Sequence, residues 1–325
     1  MFRQADAVRA LLTGLACVVA AAGSGCARNP RAAVAPASPA ASGSNAFVAS
    51  EVIAEVKDFA VELGGHATDN FLRHSDSHTS DNRCYFTGKL QLPEYYSALH
   101  MVREDGERCA ARSGEHDVFF YPVQAVASGE EAITVSLAEA PTARLLVVVP
   151  HEDFHNQRET GTAPTEVAEA AATLVGFLTA SEFARNRFGA ESDTARMLAR
   201  DADLFLRKSF LVNQYYGKVR DLYRNLEAGV LTPQRALEQK AELFTELQRS
   251  CAAIAPDPVS FNKCPTVLNN AGLAFDRTYT RHYPMLHDLY ALLGHDTPAL
   301  VSTLKRLMKN WPASAATASD LMHAH

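Results

Sequence analysis

The sequence predicts an α+β fold that is mainly α, with a small antiparallel sheet. From residue 165 to residue 311 the chain consists of long segments in which apolar residues recur at helical spacing. Between residues 84 and 139 it has three short runs rich in β-branched and aromatic residues, which are typical of strands. We therefore expect one folded domain of residues 46–325, built mostly from helices.

The first feature in chain order is an export signal. Arg3 and Arg9 precede a mostly apolar run from Ala10 to Ala22, and small residues connect this run to Cys26. The run is too short to span a membrane comfortably, so residues 1–25 are predicted to be a secretory signal peptide.

The segment AAGSGC, which ends at Cys26, resembles the lipobox of bacterial lipoproteins, in which the cysteine carries the lipid. Ser24 and Gly25 suit the two positions before the cysteine, and Gly23 stands where the family usually has Leu. In that family Ala27 permits transfer to the outer membrane. The resemblance implies an exported protein, periplasmic or held at the outer membrane, with membrane contact only through a lipid on Cys26.

The next elements follow from composition and spacing. Residues 26–45 are rich in Ala, Pro and Ser and predict a flexible tether. Residues 46–63 have apolar residues at helical spacing, and Gly64–Gly65 ends this predicted helix. Gly129 and Glu130 suit a hairpin turn between the last two strands. The strands are predicted at residues 84–92, 117–128 and 132–139.

Five helical segments follow. Thr232 suits an N-cap and Pro233 the first position of its helix. Tyr215 and Tyr216 are expected to pack on a helix face rather than to bind substrate. The segments are 165–188, 194–227, 232–254, 266–294 and 297–311.

The charge balance argues against one class of partner. The formal net charge is -6, and the chain has no cluster of Lys and Arg. Nucleic-acid-binding proteins present such a basic patch, so we expect no nucleic-acid partner.

Four cysteines follow the predicted tether, namely Cys84, Cys109, Cys251 and Cys264. An even number in an exported protein predicts disulfides, and of the three possible pairings we favour Cys84–Cys109 with Cys251–Cys264. Each would stabilise the fold by about 3 kcal/mol. Because no CxxC spacing occurs, a cysteine zinc site is not expected.

The segment PHEDFH carries the strongest chemical pattern. His151 and His155 are four residues apart, so on a helix both imidazoles face one side and can hold one Zn²⁺ at about 2.1 Å each. Glu152 is rotated by about a third of a turn from His151. It can take a proton from the attacking water and return it to the leaving amine. The alternative is a solvated helix with two ordinary histidines.

A hydrolytic zinc needs a third protein ligand and an open position. Glu169, on the following predicted helix, can supply a carboxylate, and Gly161 and Pro164 allow the chain to reverse before it. Glu166, one turn earlier, is a competing ligand. Pro150 would cost about 3 kcal/mol inside a helix and therefore favours the alternative of two ordinary histidines. It is harmless only if the helix begins there, after a separate LLVVV segment.

These residues resemble a family of bacterial zinc aminopeptidases with an HExxH…E motif, found among lipoproteins and periplasmic proteins. Its metal helix reads HELAHQ, followed by a Gly-containing loop and an NESFAT-like helix, to which HEDFHNQ and AEAAATLV are similar. The segments VLNNAGLAFDRTY and KDFAVELGGHATDNFLRH resemble its LNNAxLA…TY and FA…LGL…SYTRY regions. The loop here is one residue longer, at Asn156, and Ala168 replaces the Asn before the glutamate.

The resemblance implies a zincin-like helical metallopeptidase domain acting on peptides. It implies His151, His155 and Glu169 as zinc ligands and Glu152 as general base. The stretch between Arg83 and Ala140 departs most from the family pattern, and substrate-facing strands are expected there.

The resemblance also implies an electrophile for the oxyanion. Tyr279 matches the family's Tyr and is the first choice, ahead of His282 and Tyr283, while a core role for Tyr279 is an equal alternative. Asn269 and Asn270 either orient ligands or cap a helix, and we favour the cap.

The predicted function is therefore zinc-dependent peptide hydrolysis, with the aminopeptidase mode implied by the resemblance alone. Glu166 is a candidate for binding a free α-amine. Two alternatives remain, a degenerate relative that binds metal without turnover and a scaffold lipoprotein of the cell envelope. The histidines of RHSDSH and of the terminal HAH are expected to be ordinary surface residues.

Overall fold

The computed structural model describes residues 39–161, 163–254, 261, 264 and 267–311, with side chains from residue 49 onward. The predicted signal peptide, Cys26 and the terminal HAH lie outside the described residues. The first helix begins at Pro39, within the segment predicted to be a tether.

Helices and one small sheet make up the described residues, so the predicted α+β, mainly helical fold class is confirmed. The helices are α1 (Pro39–Glu62), α2 (Gly106–Ala111), α3 (Val135–Ala138), α4 (Thr142–His155), α5 (Thr165–Phe188), α6 (Asp193–Glu227), α7 (Pro233–Ala252), α8 (Asn270–Thr280), α9 (Tyr283–Leu292) and α10 (Thr297–Lys309). The strands are β1 (Asp81–Gly88), β2 (His100–Arg103) and β3 (His116–Val123).

The sheet is antiparallel with the order β2-β1-β3. Tyr85 on β1 lies opposite Phe119 on β3, and Arg83 lies opposite Tyr121. Because side chains alternate along a strand, these four residues share one face. That face packs on α8, where the ring of Phe275 lies 5.0 Å from Tyr85 and 4.8 Å from Phe119, centroid to centroid.

The strand predicted at residues 132–139 is wrong. Thr134 accepts a hydrogen bond from the backbone N–H of Leu137 and caps the short helix α3, while Ile133 makes only a single bridge to His74. A capping hydroxyl offers the backbone an alternative to pairing, and here it prevails over β propensity. The third strand is β2, whose four residues carry little hydrophobic signal, and the predicted hairpin turn at Gly129 does not join two strands.

The helix that carries the two histidines does not begin at Pro150: α4 begins eight residues earlier, at Thr142, and Pro150 lies inside it. The LLVVV segment forms the buried interior of this helix, with each residue at most 5% exposed. Burying one such side chain contributes about 1.5–3 kcal/mol, so five of them outweigh the ~3 kcal/mol cost of an internal proline.

Helix α5 lies at the centre of the main core. It is long and apolar enough to cross a membrane by composition alone, but 72% of its most apolar window is buried inside the protein, as in the core helix of a soluble protein. A Cβ on Gly176 would lie only 2.7 Å from the carbonyl oxygen of Val147. This glycine therefore allows α5 to approach the backbone of α4 next to His151.

Helices α6 and α7 form a second core. Tyr215 and Tyr216 are buried in it, as predicted, and Thr232 caps α7 by accepting a hydrogen bond from Arg235 N–H. The single segment predicted at residues 266–294 is divided into α8 and α9.

Two disulfides connect neighbouring elements. Cys84–Cys109 joins β1 to α2, and Cys251–Cys264 joins the end of α7 to the segment before α8. The predicted pairing is therefore confirmed.

Candidate metal centre

Three side chains from two helices converge at the edge of the core. Nε2 of His151 lies 3.3 Å from Nε2 of His155, and Oε2 of Glu169 lies 3.3 Å from the first nitrogen and 3.2 Å from the second. The two histidines lie on α4 and the glutamate lies on α5. The structure thus brings together the three residues that the sequence predicted as ligands.

The triangle has the dimensions of one face of a zinc tetrahedron. Zn²⁺ binds imidazole nitrogen and carboxylate oxygen at about 2.0–2.2 Å, which separates neighbouring ligand atoms by about 3.3–3.4 Å in tetrahedral geometry. A cation can therefore contact all three atoms with no movement of the backbone. Among the described residues one other group has a comparable arrangement, but Cys84 and Cys109 form a disulfide there.

The electrostatics of the triangle favour a bound positive charge. Burial alone would raise the pKa of Glu169, but the charge of His155 and hydrogen bonds from both imidazoles hold it well below its usual range. Burial lowers the pKa of His155, but the Glu169 carboxylate raises it to about 9. The carboxylate therefore stays ionised between the two rings.

Thr173 supports the first histidine and was missed by the sequence analysis. Its Oγ1 lies 3.4 Å from Nδ1 of His151, on the side of the ring away from Glu169. A proton on Nδ1 that points to this hydroxyl leaves the lone pair of Nε2 free for a cation. The spacing offered a signal, because Thr173 follows Glu169 by one helical turn on the same face of α5.

Asp153 anchors the opposite face of α4 and was likewise missed. Lys57 donates a 2.8 Å hydrogen bond to Oδ2, while Asn70 at 3.1 Å and Thr68 donate to Oδ1. The carboxylate is 9% exposed. This network ties the turn of α4 that carries His151 and His155 to α1 and to the chain that follows α1.

Glu152 has the environment of a general base. Burial raises its pKa to about 8, with further increases from Glu169 and Glu131 that His155 and Arg83 partly offset. A carboxylate with a pKa near the working pH both accepts and returns a proton efficiently. Glu152 lines the same cleft as the triangle but is not part of it.

A cleft of about 530 Å³ opens over the triangle. Its walls come from the sheet, from α4, from α8 and from the chain after β3. The polar and aromatic side chains of these walls include Arg83, Tyr85, Tyr121, Gln124, Arg144 and Tyr279. The region expected to face substrate therefore does contribute to the cleft.

Of the three residues predicted as electrophiles, one lines the cleft. Tyr279 lines the cleft, and its ring lies 6.2 Å from the His151 ring, centroid to centroid. Tyr283 is 1% exposed and packs against Phe205 in the core, and His282 precedes α9, so neither lines the cleft.

The predicted asparagines lie away from the triangle. Asn269 caps α8 by accepting a hydrogen bond from Gly272 N–H, as favoured from the sequence. Asn270 is fully buried, where its side chain donates to the Lys89 and Gln91 carbonyls and contacts the Tyr223 hydroxyl.

Glu166 faces neither the triangle nor the cleft. Its Oε1 accepts a 2.7 Å hydrogen bond from the backbone N–H of Tyr96. It therefore joins α5 to the segment before β2, and its predicted roles as a competing ligand and as an amine-binding group are wrong.

The comparisons with known proteins bear on the family. Comparisons with curated proteins and with solved structures returned no match. The family described as "Putative aminopeptidase" matches residues 113–318, which include α4, α5, α8 and the strand β3. Since the match covers more than half of the sequence, the chain belongs to this aminopeptidase family.

Proposed function

We propose that the protein is a zinc-dependent peptide hydrolase. The observation that carries the proposal is the triangle of His151, His155 and Glu169, whose sides of 3.2–3.3 Å suit a tetrahedral cation. Two histidines and one glutamate form a common donor set for catalytic zinc. Membership of the aminopeptidase family supports a peptide as substrate.

Zinc, when bound, supplies a Lewis acid that polarises the peptide carbonyl and lowers the pKa of water to near neutrality. Glu152 then accepts a proton from the attacking water while the oxygen of that water forms a bond to the carbonyl carbon. The hydroxyl of Tyr279 donates to the oxyanion that develops on the former carbonyl oxygen. Glu152 delivers its proton to the leaving nitrogen as the C–N bond breaks.

We also propose that the protein acts outside the cytoplasm. This proposal rests on the signal-like residues 1–25 and on Cys26 in its lipobox-like context. The two disulfides of the folded domain suit an oxidising compartment.

The test combines metal analysis with a cleavage screen. Mature protein purified without a histidine tag is expected to hold one zinc per chain and to cleave members of a peptide library, and chelation should abolish cleavage. Glu152→Gln should keep the zinc and lose at least a hundredfold in kcat. Glu191→Gln is the control, since that side chain is 94% exposed.

Three outcomes separate the alternatives. Zinc with Glu152-dependent cleavage supports the hydrolase. Stoichiometric zinc without cleavage of any library member identifies a catalytically degenerate relative. The absence of stoichiometric zinc supports the scaffold lipoprotein instead.

A further inference from the structure

Arg144 lies on the same stripe of α4 as the two histidines. Residues 144, 148, 151 and 155 are separated by four, three and four positions, so they fall within a narrow arc of the helix surface. Seven residues of helix rise by about 10 Å, which places the start of the Arg144 side chain two turns from that of His151. All four residues line the cleft.

The contacts of Arg144 leave its charge without a counterion. Its Nε donates to Oε1 of Gln124, and its guanidinium also interacts with the Tyr121 hydroxyl. Both partners are neutral. Among the described residues, no carboxylate oxygen lies within 4 Å of the Arg144 nitrogens, although this side chain is half-buried.

The other arginine of the cleft has a different environment. Arg83 donates a 2.9 Å hydrogen bond to Oδ2 of Asp81, which also accepts one from Arg103. Arg83 therefore has a carboxylate partner within the protein, which Arg144 lacks among the described residues. Partial burial of a cation without such a partner carries a desolvation penalty, and a carboxylate of a bound ligand would offset that penalty.

The acids of the cleft cannot fill this role. Among the described lining residues the only carboxylates are Glu152 and Glu169. Glu169 already faces both imidazoles, and Glu152 follows His151 in the metal-binding turn. The end of the cleft at Arg144, two helical turns from His151, thus presents positive charge and no negative charge to a substrate.

We propose that Arg144 binds a carboxylate of the peptide substrate, so that the enzyme prefers peptides that carry one a short distance from the cleaved bond. The proposal rests on the peptide hydrolase function proposed above. An extended peptide advances about 3.3–3.6 Å per residue, so about 10 Å corresponds to about three residues. The carboxylate is either that of an acidic side chain or the C-terminus of a short peptide.

Binding measured by calorimetry tests the proposal without requiring turnover. The protein is the mature chain with Glu152→Gln, which leaves the peptide intact. One arm compares trialanine with trialanine amide, and the other compares Ala-Ala-Glu amide with Ala-Ala-Gln amide. We expect the carboxylate form to bind at least tenfold more tightly in one arm, which identifies the source of the carboxylate.

Variants then assign the preference to Arg144. Adding Arg144→Gln should reduce the ratio of the two affinities to within twofold, whereas Arg144→Lys should retain part of it because the charge remains. Arg207→Gln is the matched control, because that arginine is 62% exposed on α6 and pairs with Asp203. Thermal unfolding checks that each variant is folded.

Two results would overturn the inference. One is equal affinity for acid and amide in both arms, and the other is a preference that survives Arg144→Gln. Failure of the hydrolase proposal has a different signature, namely a wild-type protein that cleaves neither peptide of a pair whatever its binding preference.

Discussion

The Thr173 hydroxyl on α5 lies 3.4 Å from Nδ1 of His151 on α4, at a site where both side chains are nearly inaccessible to solvent. Sequence patterns for metal sites specify the ligating residues but not the group behind them. Here that group is supplied by the same helix that carries Glu169. One helix therefore provides both a predicted ligand and the support for another predicted ligand.

Thr173→Val should weaken zinc binding by about tenfold to a hundredfold, because the substitution removes the partner that orients the His151 ring. The shape of the side chain is kept, so the change in packing is small. Competition with a fluorescent chelator measures the affinity.

Thr179→Val on the same helix is the matched control. The Thr179 hydroxyl oxygen is buried and has no hydrogen-bond partner among the described residues. Its removal should leave zinc affinity unchanged and raise the free energy of unfolding by up to about 1 kcal/mol. Equal zinc affinities for both valine variants would contradict the role given to Thr173.

Gly176→Ala should destabilise the protein by about 1–3 kcal/mol and weaken zinc binding. The new Cβ would lie 2.7 Å from the Val147 carbonyl oxygen and 3.3 Å from Cβ of His151, so α5 must move away from α4. Gly217→Ala on α6 is the control. It meets no atom within 4 Å and should stabilise its helix by about 0.5–1 kcal/mol. Urea denaturation measures the free energy of unfolding of both variants. An unchanged value for Gly176→Ala would disprove the close contact between α5 and α4.

Lys208→Met should lower the free energy of unfolding by about 3–5 kcal/mol, because it removes a buried cation that pairs with the buried Asp276 carboxylate. The Lys208 Nζ lies 2.9 Å from Oδ1 of Asp276, and the two side chains are 1% and 0% exposed. Replacing both residues, with Lys208→Met and Asp276→Leu, should recover part of that loss. A double-mutant cycle in urea measures the coupling, and additive losses would show that the pair is not energetically linked.

His282 should make the protein less stable in acid. Burial, together with Arg281 and Arg277, lowers the pKa of His282 from 6.5 to about 4. As the pH falls, His282 therefore binds a proton in the unfolded chain before it does so in the folded protein. The free energy of unfolding thus decreases as the pH drops from about 6.5 to about 4. Because His282 is partly exposed, solvent screening limits the effect to about 1–2 kcal/mol.

Comparison with His282→Gln isolates this contribution from the other titrating groups. The difference in unfolding free energy between wild type and variant should change with pH only within that window. A constant difference from pH 7 to pH 4 would contradict the lowered pKa.

Sequence reasoning succeeded where local chemistry decides the structure. Helix α5 occupies the predicted residues 165–188, and Thr232 caps α7, because apolar periodicity and a capping hydroxyl act over a few positions. The ligand triangle also followed from local spacing, since two of its residues share one helix and the third lies on the next helix.

Prediction from the sequence failed where tertiary packing opposes a local conformational preference. Pro150 is held inside α4 by the burial of the segment before it, and β2 exists because β1 offers it an edge. Arg144 was not singled out, since its significance lies in the missing counterion, which only the folded arrangement shows.

The ligand triangle is encoded within residues 151–169, whereas Arg83, Tyr121 and Tyr279 reach the cleft from parts of the chain far apart in sequence. The family match begins at residue 113, so strand β1 and its arginine lie outside it. Mutations in the sheet can thus alter the wall of the cleft while the helices α4 and α5, which carry the triangle, stay unchanged. The surface that contacts a substrate can therefore change by substitution independently of the residues proposed to carry out the hydrolysis.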